Sequence, residues 1–313
     1  MRKGKWTQGA LPDDPVSVAA REALRARLRA VEYYLPLAAF KSDRDVEYVH
    51  QLRVASRRAL AAVRTFAPLL SERQERWLSK QLKKIRRAAG GARELDVLGR
   101  RIANRIAPPP GEARAALVAK IEAGRDDVQR PIRRLRTKML NKDFASRSVR
   151  IAKRVRWRGE GDEPTFAAAA AVCLRSVAEP FFAAAQADTK ELAALHHFRI
   201  TAKHLRYSME IFAAALAPEF RTVVYPAIEE VQTRLGEVND HAAALEQCEA
   251  WLAAWEDGPA VQALREVAEA DRQSLDAERE RFVRWWTAER ATDLRRRFDQ
   301  ALAASAAPGE KSA

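Results

Sequence analysis

Residues 49–66 spell VHQLRVASRRALAAVRTF, and residues 195–212 spell LHHFRITAKHLRYSMEIF. At a constant offset of 146 positions, His50 stands with His196, Arg53 with Arg199 and Arg57 with Lys203. Arg58 stands with His204 and Phe66 with Phe212. Each copy is preceded by a helical stretch with a proline inside it, Pro36 and Pro180. Each is followed by a second helical pattern that ends in GGARELD (residues 90–96) or LGEVND (residues 235–240), read here as polar turns. Agreement in order, spacing and flanks is the mark of an internal repeat. Gly is scarce, Ala and Arg are abundant, and no sustained alternation of β-formers occurs. The expected fold is therefore all-α: two helical bundles of the four-helix type, related by a pseudo-two-fold internal repeat.

The boundaries follow from punctuation. WRGEGDEP at residues 157–164 separates the halves. One domain is expected over 13–304, with repeats 13–157 and 164–304, an N-terminal tail at 1–12 and a disordered tail at 305–313. The two halves differ sharply in charge. Residues 1–158 hold 39 Lys and Arg against 16 Asp and Glu, a net +23; residues 159–313 hold 17 against 26, a net −9; the whole chain is +14. A half at +23 repels itself unless an anion is near, which points to nucleic acid, an anionic membrane or another polyanion.

The repeated helix shows where such an anion belongs. At ~100° per residue, His50, Arg53, Arg57 and Arg64 share one face of the first copy. His196, Arg199, Lys203 and Arg206 share the equivalent face of the second. Leu52, Ala59, Val63 and Phe66, and in the second copy Phe198, Leu205, Met209 and Phe212, lie opposite as core. No acid occurs from Val49 to Leu70. A surface helix usually mixes signs, because like charges at i+3 and i+4 destabilise it. Lys80, Lys83, Lys84 and Arg87 form a further basic stripe opposite Leu78, Leu82, Ile85 and Ala89, and two such stripes side by side make an electropositive track. Glu229 and Glu230 break the equivalent helix of the second half, so a lopsided binding surface is expected. Arg130 to Arg158 adds peripheral charge that lacks an ordered apolar stripe.

Other chemistries find less support. His50 and His196 stand among Arg and Lys, which repel a cation, so no metal is expected and the histidines serve as phosphate donors. No phosphate-binding glycine loop, nucleophile elbow or zinc-protease motif is present, and no catalytic residue or cofactor is assigned. Asp96 and Asp240 can be imagined on Mg²⁺ in a phosphatase or nuclease, but helix capping or pairing with arginine suits them better. Cys173 and Cys248 lie in apolar helical sequence without CxxC spacing and are expected to be buried reduced thiols. The first ten residues have no apolar run, and the apolar run at 166–174 is too short to span a bilayer, so a cytoplasmic protein without membrane contact is expected. Oligomeric state is not encoded.

VHQLRVASRR and LHHFRITAKHLRYSMEIF, together with ARELDV and LGEVND, resemble the CHAD family, named for its conserved histidines and helical fold. The resemblance spans about residues 13–304. It implies two helical bundles that bind inorganic polyphosphate through basic side chains and associate with polyphosphate granules. Many members are fused to a CYTH triphosphatase domain; its ExExK-type signature is absent here, so a stand-alone, non-enzymatic binding protein is expected. The implied contacts are His50, Arg53, Arg57, Arg58, Arg64, Lys80, Lys83, Lys84, Arg87, His196, Arg199, Lys203, His204 and Arg206. Nucleic acid is the weaker alternative, since the basic faces lack interleaved aromatics for base stacking.

Overall fold

Apolar periodicity of 3.6 governs the chain, and the computed structural model, which describes residues 5–7, 9–105, 111–187 and 191–306, is accordingly helical. The first half gives α1 (Val16–Phe40), α2 (Glu47–Thr65), α3 (Glu72–Ala88), α4 (Gly90–Arg105), α5 (Glu112–Asn141) and α6 (Phe144–Lys153). The second gives α7 (Phe166–Ala185), α8 (Leu192–Phe212), α9 (Tyr225–Ala254), α10 (Pro259–Trp285) and α11 (Ala288–Ala306). The described residues hold no strand, only an isolated bridge between Pro15 and Thr165. Local signals set several ends. Ser71 and Gln74 form a reciprocal capping box on α3. The Thr165 hydroxyl accepts from the Ala168 amide to start α7.

α2 packs between α1 and α3, and α8 between α7 and α9. The halves meet where α5 packs on α10, and again along a seam of α2 against α8, with Phe66 and Phe212 edge to face at 5.9 Å. One apolar core runs across that seam, and a second joins α4 and α5 to α9 and α10 through Leu95, Leu98, Leu117, Ile121 and Leu264. The stripes expected as core are buried: Leu52, Ala59, Val63 and Phe66 on α2, Phe198, Leu205, Met209 and Phe212 on α8.

Three expectations are corrected. LGEVND is not a turn; residues 235–240 lie inside the 30-residue α9. Ile228, Val231, Leu235 and Val238 continue one buried stripe through it, and a single Gly236 costs only about 1 kcal/mol against that burial. GGARELD opens α4 after a break of one residue, Ala89. The tails are shorter than expected. Lys5 to Thr7 are docked, the Thr7 amide donating to the Glu210 carbonyl at 3.1 Å and Trp6 lying 4.5 Å from Tyr225. Ser305 belongs to α11, and residues 307–313 lie outside the described residues. α7 is, by length and mean hydropathy of 1.4, apolar enough to cross a bilayer, a third of it being buried within the fold.

Candidate functional site

The basic faces of α2 and α8 meet across a groove of about 1610 Å³. α2 contributes His50, Arg53, Arg57 and Arg64; α8 contributes His196, Arg199, Lys203 and His204; Arg86 of α3 and Arg93 of α4 close the wall. Two carboxylates line it, Glu94 and Asp240. Much of the remaining surface is apolar, with α7 contributing Val172, Cys173 and Val177, while Asn239 and Gln247 of α9 add neutral polar groups. Cys173 is thus half-buried at the groove rather than sealed in the core, whereas Cys248 is buried.

The fold crowds these cations, and nearby carboxylates such as Asp240 beside Arg199 offset only part of their charge. Burial first, then Arg57, holds the Arg53 guanidinium below its usual range. Burial and the neighbouring Arg100 do the same to Arg93, whose Nη1 has no hydrogen-bond partner. Lys203 is the most perturbed: burial, then Arg199 and Arg57, push its ammonium down to about 7. His50 is lowered by burial and Arg93, and His204 by burial, Arg64 and Lys203. Such sites favour an incoming anion, because it reverses the local field that each cation feels. Some groups are already oriented. Arg199 Nη2 donates to Asp240 at 3.2 Å while its Nε stays unpartnered. Nδ1 of His196 lies 2.7 Å from Asn239 Oδ1, which fixes the ring and leaves Nε2 for a ligand.

Several residues assigned from the sequence are placed elsewhere. Arg58 points into the seam, donating to the fully buried Glu210 through Nε at 2.7 Å and Nη2 at 3.0 Å. Arg206 bonds Glu229 at 3.0 Å and lies 3.9 Å from Glu210. Tyr225 donates its hydroxyl to Glu210 at 3.0 Å, and Arg27 reaches Glu210 at 3.8 Å. Arg58 and Arg206 are therefore ties between helices, because a carboxylate distant in sequence meets them first. Lys80, Lys83, Lys84 and Arg87 do not line the groove; α3 presents Arg86 to it instead. Glu229 is held by Lys5 and Arg206, and Glu230 by Arg234, so neither makes the groove lopsided. Asp96 is buried against Arg125 at 3.4 Å and stands apart from Asp240, which is in the groove. Among the described residues no three of His, Cys, Asp and Glu gather as a metal site requires. The basic tract at 130–158 is paired only at Arg130, Arg133 and Arg150 among the described residues, as in Arg133 with Asp126 at 2.6 Å.

Sequence reasoning misses Arg86 and Arg93 as groove residues. Arg93, three residues before Asp96 in GGARELD, reads there only as an arginine that could pair with it, and Arg86 falls off the stripe opposite the core of α3. Helical angle shows which residues share a face but not which edge of that face meets another helix.

Comparison with known proteins adds the family. The sequence profile of the CHAD domain matches residues 22–249. Among solved structures, the chain is similar to the CHAD domain from the plant Ricinus communis, with a TM-score of 0.69 at 19% identity, covering 89% of this chain and 95% of that one. It is also similar to PptA from Streptomyces chartreusis, with a TM-score of 0.57 at 16% identity, covering 87% and 99%. No curated protein sequence matches it. The profile covers well over half of the chain, and with the all-helical fold it establishes that this protein belongs to the CHAD domain family.

Proposed function

We propose that the groove binds inorganic polyphosphate, holding the chain between α2 and α8 without turning it over. The observation that carries this reading is the convergence of Arg53, Arg57, Arg93, Arg199 and Lys203 on one groove that contains only two carboxylates among its described lining. Arginine forks suit phosphate oxygens, Lys203 and the histidines add point donors, and release of condensed counterions drives association. Two acids support binding over hydrolysis in this reading: Asp240 is engaged by Arg199, and Asp96 is buried behind Arg125. A cytoplasmic protein associated with polyphosphate granules fits this activity.

Single-stranded RNA is the second reading. Of the aromatics in the groove's described lining, Phe66, Tyr207 and Phe212 are buried at 2%, 6% and 1% exposure, which leaves the half-buried Trp157 as the one ring with a face for base stacking. The test is competition of long-chain polyphosphate against single-stranded RNA of equal charge on the purified protein. Polyphosphate is expected to displace RNA; tighter RNA binding reverses the ranking. Arg53→Ala/Arg57→Ala should weaken polyphosphate binding by roughly tenfold or more, since each charge-assisted bond is worth about 1.5–3 kcal/mol. Unchanged affinity in that folded variant removes the groove as the site.

A further inference from the structure

Polyphosphate has no apolar group, yet one wall of the groove is apolar. Ala169, Val172, Cys173, Ser176 and Val177 of α7 line it at helical spacing, and no charged residue of α7 belongs to the groove's described lining. Val172 is 72% exposed, more than any other large apolar side chain described, and Ile200 of α8 adds a second at 38%. α7 owes its mean hydropathy of 1.4 to this outward face as well as to its core face, where Leu174, Phe181 and Phe182 are buried. Single apolar side chains are ordinary on a surface, but a stripe of them beside a cluster of cations marks a contact surface.

The groove therefore has two unlike walls, and its dimensions suit a rod. From Ala168 to Pro180 the lining stretch of α7 is about 18 Å long, as long as a helix of roughly 12 residues. The volume of about 1610 Å³ is of the order of such a helix, which is about 10–12 Å across with its side chains. On the basic wall, Arg53 and Arg57 stand one turn apart on α2, as Arg199 and Lys203 do on α8. A helix with carboxylates at i and i+4 on one face and apolar residues on the other answers both walls at once. A bilayer does not, because the Arg199 side chain, 17% exposed, is recessed from any flat headgroup plane.

We infer that the groove also receives an acidic amphipathic helix of a partner protein, laid with its apolar side on α7 and its carboxylates on Arg53, Arg57 and Arg199. The inference goes beyond polyphosphate binding and does not rest on it. Both ligands need the same arginines, so each excludes the other. Only the helix uses Val172 and Ile200, and burial of those side chains is what separates it from a merely acidic chain.

The test uses the full chain and a fluorescent synthetic helix with Glu on one face and Leu on the other, read by anisotropy at fixed ionic strength. The control is a peptide of the same composition, shuffled so that no face is apolar. The amphipathic peptide should bind wild type about tenfold or more tightly than the shuffled one. Val172→Gln/Ile200→Gln should remove most of that preference, with Val172→Gln alone between, while the shuffled peptide binds wild type and variants within about twofold. Arg53→Ala/Arg57→Ala should weaken both peptides. Equal affinity for the two peptides overturns the inference, as does a preference that survives in Val172→Gln/Ile200→Gln. Vesicles of phosphatidylglycerol and phosphatidylcholine are the third arm: vesicle binding that Val172→Gln/Ile200→Gln abolishes, without any preference between the peptides, assigns the apolar wall to lipid and overturns it too. Failure of wild type to bind long-chain polyphosphate in a direct titration is a different result: it removes the functional reading, and the peptide preference and its loss in the variants still decide this one.

Discussion

Lys203 is an amine placed where its charge is unwelcome until a ligand arrives. Burial, Arg199 and Arg57 hold it at about 7 in the free protein, against an ordinary value of 10.5. A bound polyanion reverses that field and raises it, so binding takes up a proton. Affinity should climb as pH falls towards about 7 and level off once the free amine is protonated. His50, itself held below 6.5, acts only at lower pH, so histidine shares the pH dependence with a lysine that titrates higher. Calorimetry at pH 8 in two buffers of different ionisation enthalpy separates them. Uptake is expected in wild type and in His50→Gln/His196→Gln, and should vanish in Lys203→Arg, whose guanidinium stays charged; equal uptake in Lys203→Arg refutes the assignment. Long chains keep terminal phosphates from contributing. The same depression has a stability consequence of fixed sign. Between about 7 and 10.5 the unfolded chain binds more protons at this position, so stability falls as pH falls through that window. Lys203→Met should therefore raise Tm at pH 7 while weakening binding, and the gain in Tm should shrink towards pH 10.

At the scale of the helix, α8 carries two different jobs on two faces. One face lines the groove; the other presents Glu210, wholly buried, to Arg58 of α2, Arg27 of α1, Arg206 one turn earlier on α8 itself and Tyr225 at the start of α9. Removing one partner of a buried pair leaves an uncompensated charge and costs roughly 3–5 kcal/mol. Glu210→Gln should lose stability of that order in urea denaturation while the folded protein still binds polyphosphate. Arg58→Ala should behave likewise, whereas its neighbour Arg57→Ala should weaken binding with little loss of stability. Two variants that weaken binding alike contradict the division of roles. This division also marks what a sequence can reveal. The buried stripes of α2 and α8 and the cations opposite them obey helical periodicity, and so are legible. The role of Arg58 is not, because its partner stands 152 positions away and nothing local announces it. The glycine inside LGEVND is a turn signal only until the apolar stripe that runs through α9 is counted.

Across the whole molecule, the groove lies on the seam where α2 meets α8, so the cations that attract the ligand also push these two helices apart. Arg57 lowers the proton affinity of both Arg199 and Lys203 across it. The Glu210 network and the Phe66–Phe212 contact pull the other way. If the proposed function holds, a polyphosphate chain should turn the repulsion into attraction and act as a clamp. At a free concentration 100 times Kd it should stabilise the fold by about 2.7 kcal/mol. Salt then acts in opposite directions on the two states. The Debye length shortens from about 30 Å at 0.01 M to about 10 Å at 0.1 M, which screens repulsion across the groove. Tm of the free protein should therefore rise over that range. The additional rise caused by polyphosphate should shrink over the same range, because counterion release contributes less as bulk salt increases. Scanning calorimetry with and without long-chain polyphosphate, at several NaCl concentrations, reads both trends at once. Arg57→Ala/Lys203→Met relieves the repulsion, so its free Tm should depend less on salt and its polyphosphate shift should be small at every concentration. A free-protein Tm that falls with salt, or an identical salt response in that variant, means that the groove cations are not in tension across the seam, and the clamp is then not how the ligand stabilises this fold.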